Sequence, residues 1–286
     1  MRLARHSQKK VVSPRCWSPA RDGRRAREPE LALLSLGELQ IEYRFEPALP
    51  GAEDLPPLVF LHEGLGSTAL WRDFPGSIRA STGGAAMLVY SRPGHGRSTT
   101  LKGPRSARYM HDEALDVLPA VLEAFGMAAP VLIGHSDGGS IAIIHAGAGF
   151  PVSALVLLAP HVFVEDRSIQ GIEAARAAYL GTDLPERVRR HHNDGDSTFW
   201  GWNDIWLSAE FRGWNIEEYL PGISCPVLLV QGDADEYGTL AQLEAIECGV
   251  RGRVERVVIP DACHAPHLDH RSEVIDAAAR FLRERA

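Results

Sequence analysis

The sequence predicts an α/β fold: a mostly parallel, eight-stranded sheet with helices on both faces and a helical cap inserted after the sixth strand. Three observations predict it. Short, continuous apolar runs alternate with stretches of helical periodicity, the pattern of buried parallel strands covered on both sides. One such run, at 130–133, breaks at once into Gly134-His135-Ser136-Asp137-Gly138-Gly139 and an apolar helix. Residues 161–222 carry no strand-like run, although strands stand on either side of them.

Taken in order, residues 31–36 and 39–45 alternate apolar and polar around Gly37-Glu38, a hairpin signal. Residues 56–61 form a buried strand that ends in the loop His62-Glu63-Gly64-Leu65-Gly66-Ser67, with a helix expected from 68 to 80. A further strand at 85–90 runs into Ser91-Arg92-Pro93-Gly94-His95-Gly96-Arg97-Ser98, which is too rich in glycine and proline for regular structure. Residues 109–125 place Leu115, Leu118, Val121 and Leu122 on one helical side. After the 130–133 strand and the helix at 140–146 come strands at 153–159, 226–230 and 253–259. Helices are expected at 240–248 and 272–283. The stretch 161–222 holds helical pieces at 172–179 and 185–192. The expected division is a core of 31–160 and 223–286, a cap of 161–222, and a disordered basic extension over residues 1–30.

Charge separates the extension from the rest. Residues 1–27 hold nine Lys or Arg and one acid, Asp22, so the total of −7 leaves −15 on the remaining chain. An acidic body argues against nucleic acid as a partner. No apolar run reaches the roughly 18 residues of a membrane helix. The four cysteines have no ligand-like spacing, and they predict reduced thiols and a cytoplasmic chain. The expected partner is a small-molecule substrate, with no membrane or nucleic acid, no cofactor and no metal; a homodimer is left open.

Gly134-His135-Ser136-Asp137-Gly138 between strand and helix is a nucleophile-elbow pattern, which lifts a serine hydroxyl above the strand ends. A serine is a weak nucleophile without a base, and the base needs an acid to orient it. Past the 226–230 strand lie Asp233, Asp235 and Glu236; Asp235 is the expected acid and Asp233 its alternative. Past the last strand lie His264, His267 and His270; His264 comes first and is the expected base. The spacing of those three histidines also suits zinc, but Pro266 prevents one helix from presenting them together. For a developing oxyanion, the backbone N–H groups of Asp137 and Gly64 are the expected donors, with Leu65 as an alternative to Gly64.

On these motifs, together with Gly232-x-x-Asp235, the chain from about residue 31 onward resembles the α/β-hydrolase superfamily. It is similar to the capped esterases and meta-cleavage-product C–C hydrolases more than to the lipases. The resemblance implies the roles of nucleophile for Ser136, acid for Asp235 and base for His264. Three residues depart from it: Glu63 where most relatives have Gly, Ser91 where many have Asp, and Ala265 where C–C hydrolases often have Trp.

The expected function is a serine hydrolase acting on a small, apolar or aromatic ester or related acyl compound. The alternatives are C–C bond hydrolysis of a meta-cleavage-type diketone and a non-catalytic ligand-binding member. Expected substrate-facing residues are Glu63, Leu65, Trp71, His135, Trp202, Trp206 and His267. Arg167, Arg176 and Arg190 are candidates to meet a carboxylate on the substrate.

Overall fold

A computed structural model describes residues 31–284; the basic extension expected over 1–30 lies outside them. The strands are β1 (Ala32–Leu36), β2 (Leu39–Glu46), β3 (Leu58–Leu61), β4 (Met87–Tyr90), β5 (Val131–His135), β6 (Ala154–Leu158), β7 (Val227–Gly232) and β8 (Val254–Ile259). They form one eight-stranded sheet in the order β1-β2-β4-β3-β5-β6-β7-β8. The β1–β2 and β2–β4 pairs are antiparallel and every other pair is parallel. The first turn is the predicted hairpin: Leu36 pairs with Leu39, and Gly37 takes a φ of 58° that glycine adopts without strain.

Successive side chains of a strand point to opposite faces. Val59 and Leu61 of β3 therefore enter one core and Leu58 and Phe60 the other. The first core is closed by α2 (Tyr109–Asp112), a π turn over Glu113–Val117, α3 (Leu118–Ala124), α4 (Asp137–Gly147) and α8 (Ala241–Gly249). The second is closed by α1 (Phe74–Ser81) and, after the short α9 (Pro266–Asp269), by α10 (Arg271–Arg283); α1 carries Phe74 and Ile78, and α10 carries Val274 and Phe281. Side chains such as Phe60 and Phe74 are fully buried, and each stabilises the fold by about 1.5–3 kcal/mol.

Between β6 and β7 the chain leaves the sheet and forms α5 (Asp166–Gly181), α6 (Leu184–Arg189) and α7 (Gly195–Leu207). Backbone atoms of the 94–96 loop and Leu65 hold this segment down. Thr198 Oγ1 donates to the Gly94 carbonyl at 2.7 Å, and the Asn193 N–H donates to the Gly96 carbonyl at 2.8 Å. His192 accepts from the Gly96 N–H through Nδ1 at 2.9 Å, so its Nε2 carries the proton and donates to the Leu65 carbonyl at 3.0 Å. Among the described residues no helix is long and apolar enough to cross a membrane.

Some expectations change. The helix expected from 68 to 80 is a 3-10 turn, Thr68–Trp71, followed by α1. Proline fits only the first helical turn, and Pro75 stands there, so α1 cannot extend back through it. The helix expected at 185–192 stops at Arg189, because the hydrogen bonds of His192 pull the chain out of helical register. Cys225 and Cys248 keep their thiols, as expected, whereas Cys263 is disulfide-bonded.

Candidate active site

The strand order reverses at β3: the chain steps from β3 outward to β4, then back across β3 to β5. Open α/β sheets bind ligands beyond the carboxyl ends of the strands at such a reversal. Leu61 ends β3 and His135 ends β5 there, and Ser136 follows at once. Ser136 is the one-residue hinge between β5 and α4, with φ 53° and ψ −116°, a region non-glycine residues rarely enter. The hinge exists because its neighbours lack side chains. A Cβ on Gly134 would meet the Gly138 carbonyl oxygen at 2.3 Å, and one on Gly138 would meet that of Leu61 at 1.9 Å.

Three side chains from three strand ends then join in one line. His264 Nε2 lies 2.9 Å from Ser136 Oγ. His264 Nδ1 lies 2.9 and 3.0 Å from the two carboxylate oxygens of Asp235. Asp235 is buried and accepts in addition from the N–H groups of Tyr237 (2.8 Å) and Gly238 (3.2 Å) and from Gln231 Nε2 (3.0 Å). Burial opposes its charge, but the charge and hydrogen bond of His264, the Tyr237 N–H and His161 outweigh burial and hold the carboxyl down to about 2. Burial likewise pulls the His264 imidazole down, yet the charge and hydrogen bond of Asp235, with Glu236 and Glu63, raise it above the ordinary histidine value. The alternative acid, Asp233, is spent elsewhere: its Oδ1 accepts from the Asp261 N–H at 2.7 Å and shapes the turn after β8.

The backbone N–H groups of Asp137, Gly64 and Leu65 make no hydrogen bond to any described residue, which leaves all three candidate oxyanion donors available. The Asp137 carboxylate is turned away from its own N–H. It accepts from Tyr109 Oη at 2.8 Å and lies 3.5 Å from Arg92 Nη2. Arg92 also donates to the Glu63 carbonyl at 2.9 Å, and Trp206 Nε1 donates to Tyr109 Oη at 3.0 Å. This buried network ties the β3 loop, the β4 loop, α4 and α7 together, and its members Arg92 and Tyr109 carry no motif that sequence reading recognises. Ser91, where the resemblance expects Asp, donates to the buried carboxylate of Glu42 at 2.6 Å. A carboxylate thus serves that position from β2.

Glu63 points back over its own loop, with its carboxylate 3.5 Å from His135 Nδ1. Burial opposes its charge, but His135 and His62 hold it well below the usual carboxylate range. The other ring nitrogen of His135 donates to the His264 carbonyl at 2.8 Å. His161, which sequence reading missed, stands just past β6 with its ring 5.5 Å from that of His264. Burial, then the His264 charge, push it down to about 3, so it is a neutral wall. Its place at a strand end was the available signal.

A cavity of about 430 Å³ opens onto Ser136 and His264. Of the expected substrate-facing residues, Glu63, Leu65, His135, Trp202, Trp206 and His267 line it. Trp71 does not: it is buried in the second core, stacked on Phe74 at 5.8 Å. Among the three arginines singled out, only Arg190 lines the cavity. Arg167 donates to the backbone carbonyl of Asp235, and Arg176 pairs with Asp204 at 3.3 Å over the ring of Trp200.

Residues 58–277 match the model of the Alpha/beta hydrolase family. A curated relative from Salmonella agona, named 2-succinyl-6-hydroxy-2,4-cyclohexadiene-1-carboxylate synthase, is 26% identical over 267 residues, covering 82% of this chain and 97% of its own. The enol-lactonase of Burkholderia xenovorans LB400 superposes with a TM-score of 0.69 at 19% identity, covering 88% of this chain and all of that one. A structure from work on carboxylesterases of the Thaumarchaeon Nitrososphaera gargenis gives a TM-score of 0.70 at 17% identity over 89% and 98% of the two chains.

Proposed function

This chain belongs to the alpha/beta hydrolase family, and from that premise we propose that it is a serine hydrolase cleaving a small ester or related acyl compound. The observation that carries the reading is the unbroken line from Ser136 Oγ through His264 to Asp235, with the serine at a strained hinge. Ser136 passes its proton to His264 Nε2 as Oγ attacks the carbonyl carbon. The carbonyl oxygen becomes an oxyanion facing the N–H of Asp137 and that of Gly64 or Leu65. His264 then hands the proton to the leaving alcohol, an acyl-Ser136 remains, and water releases the acid by the same steps.

The inserted segment, residues 161–222, acts as a cap in this reading. Trp202 and Trp206 from α7, with Leu65, Leu70 and Ile172, give the cavity an apolar wall suited to an apolar or aromatic acyl or alcohol group. Replacing Ser136 with Ala is expected to lower kcat for p-nitrophenyl butyrate by about 10⁴–10⁶-fold. Turnover near the parent rate would sink the assignment.

The near full-length match to the Salmonella synthase supports a second reading, in which the same serine and histidine drive a reaction other than hydrolysis. Accumulation of an acyl-Ser136 adduct during turnover of the natural substrate separates the two. C–C hydrolysis ranks below both, since Ala265 stands where C–C hydrolases often carry Trp. A purely ligand-binding role leaves the serine–histidine–aspartate line without a use.

A further inference from the structure

This inference rests on the Ser136 reading and concerns what else the cavity holds. Its lining includes Arg72, just after the 3-10 turn behind the Glu63 loop, and Arg187, Arg190 and His191 at the end of α6. The sheet body and the inserted segment thus each turn cationic groups into one space. Burial, and then the charges of Arg190 and Arg72, depress the His191 imidazole.

Among the described residues most arginines have a carboxylate partner, as in Arg44–Glu46, Arg189–Asp196 and Arg256–Glu247. Arg72 and Arg190 have no carboxylate partner among the described residues. Sequence neighbours do not supply one. Asp73 is taken by Arg271 at 2.9 Å, and no ion pair joins Glu186 to Arg190 although the two are one helical turn apart. Arg72 is further held at φ 53° and ψ −130°, a backbone state that persists only where surrounding structure imposes it. Two acids of the cavity are already engaged: Glu63 lies against His135, and Glu236 accepts from the His264 N–H at 3.1 Å.

We propose that Arg72 and Arg190 form a clamp for a carboxylate carried by the substrate, so that the natural substrate is an acyl compound bearing an anionic end. A guanidinium matches a carboxylate fork-to-fork, and one from each side lets the bound group fasten the inserted segment to the body. A singly charged carboxylate suits a cavity that also holds Glu63, Glu236 and Asp269 better than a doubly charged phosphate does.

The test compares kcat/KM for mono-p-nitrophenyl glutarate with that for its methyl ester. The parent protein is expected to favour the charged ester roughly tenfold or more, the preference fading with added salt. Arg72→Gln and Arg190→Gln are each expected to lower that ratio roughly tenfold, mainly through KM, with Arg190→Lys restoring part of it. A ratio near one in the parent, or an unchanged ratio in the double variant, overturns the clamp. Calorimetric titration of glutarate into the Ser136→Ala protein removes any need for turnover. Glutarate binding that disappears on adding Arg72→Gln and Arg190→Gln supports the clamp even if neither ester is cleaved, a result that would sink only the hydrolase reading. No glutarate binding, or tighter binding of inorganic phosphate, overturns it.

Discussion

His264 Nδ1 lies 2.9 and 3.0 Å from the two carboxylate oxygens of Asp235, while Nε2 of the same ring faces Ser136 Oγ at 2.9 Å. The carboxylate therefore fixes both the tautomer and the aim of the base. Asp235→Asn keeps the shape but removes the charge and permits the wrong tautomer. It is expected to lower kcat by roughly 10³–10⁴-fold with little change in KM, measured with p-nitrophenyl butyrate.

The pH profile follows from the same contact. His264 accepts a proton only when neutral, and its pKa is raised above 6.5 because Asp235 outweighs burial. Activity is therefore lost as pH falls through that raised value and is flat above it. Asp235, held down to about 2, stays ionised and adds no second limb at higher pH. In Asp235→Asn the largest raising influence is gone and only the smaller ones of Glu236 and Glu63 oppose burial, so the residual activity shifts its acidic limb toward lower pH. A limb that stays in place contradicts the assignment of that limb to His264.

The Gly138 approach to Leu61 predicts a steric effect. A Cβ there would sit 1.9 Å from a backbone oxygen, which cannot move without displacing β3. Gly138→Ala is expected to destabilise the fold by about 1–3 kcal/mol and to lower kcat by on the order of 100-fold by shifting Ser136. Gly181→Ala, with nothing within 4 Å of its Cβ, is the control and should stay within about 0.5 kcal/mol of the parent. Thermal melts and ester turnover read both.

Trp202 sets the room above the oxyanion loop: a Cβ on Gly64 would meet its Nε1 at 2.2 Å. Trp202→Ala is expected to raise kcat/KM for octanoyl relative to acetyl p-nitrophenyl esters by on the order of tenfold. No change in that ratio places the acyl chain elsewhere in the cavity.

The sheet was legible because parallel strands buried on both faces read as continuous apolar runs, and all eight strands fall where such runs or the Gly37 alternation stand. Ser136, Asp235 and His264 could be picked out because each stands at or shortly past a strand end: Ser136 next to His135, Asp235 three residues past Gly232 and His264 five past Ile259. What escaped depends on contacts remote in sequence. α7 begins with Gly195-Asp196-Ser197 and buries Phe199, Trp202 and Trp206 against several neighbours, so it shows no clean apolar stripe. Trp71 had the right place in sequence for a substrate contact, but Arg72 and Pro75 turn the chain so that it packs on Phe74. Arg167 and Arg176 could not be separated from Arg190 by sequence, because a long side chain's direction is set by what it packs against.

The central claim is that His264 makes Ser136 the nucleophile. Intact-protein and peptide mass spectrometry after treatment with a fluorophosphonate tests it most directly. The expected result is one label per chain, on Ser136, absent in Ser136→Ala and formed at least 100-fold more slowly in His264→Ala. A folded parent protein that stays unlabelled, or that carries its label on another residue, contradicts it.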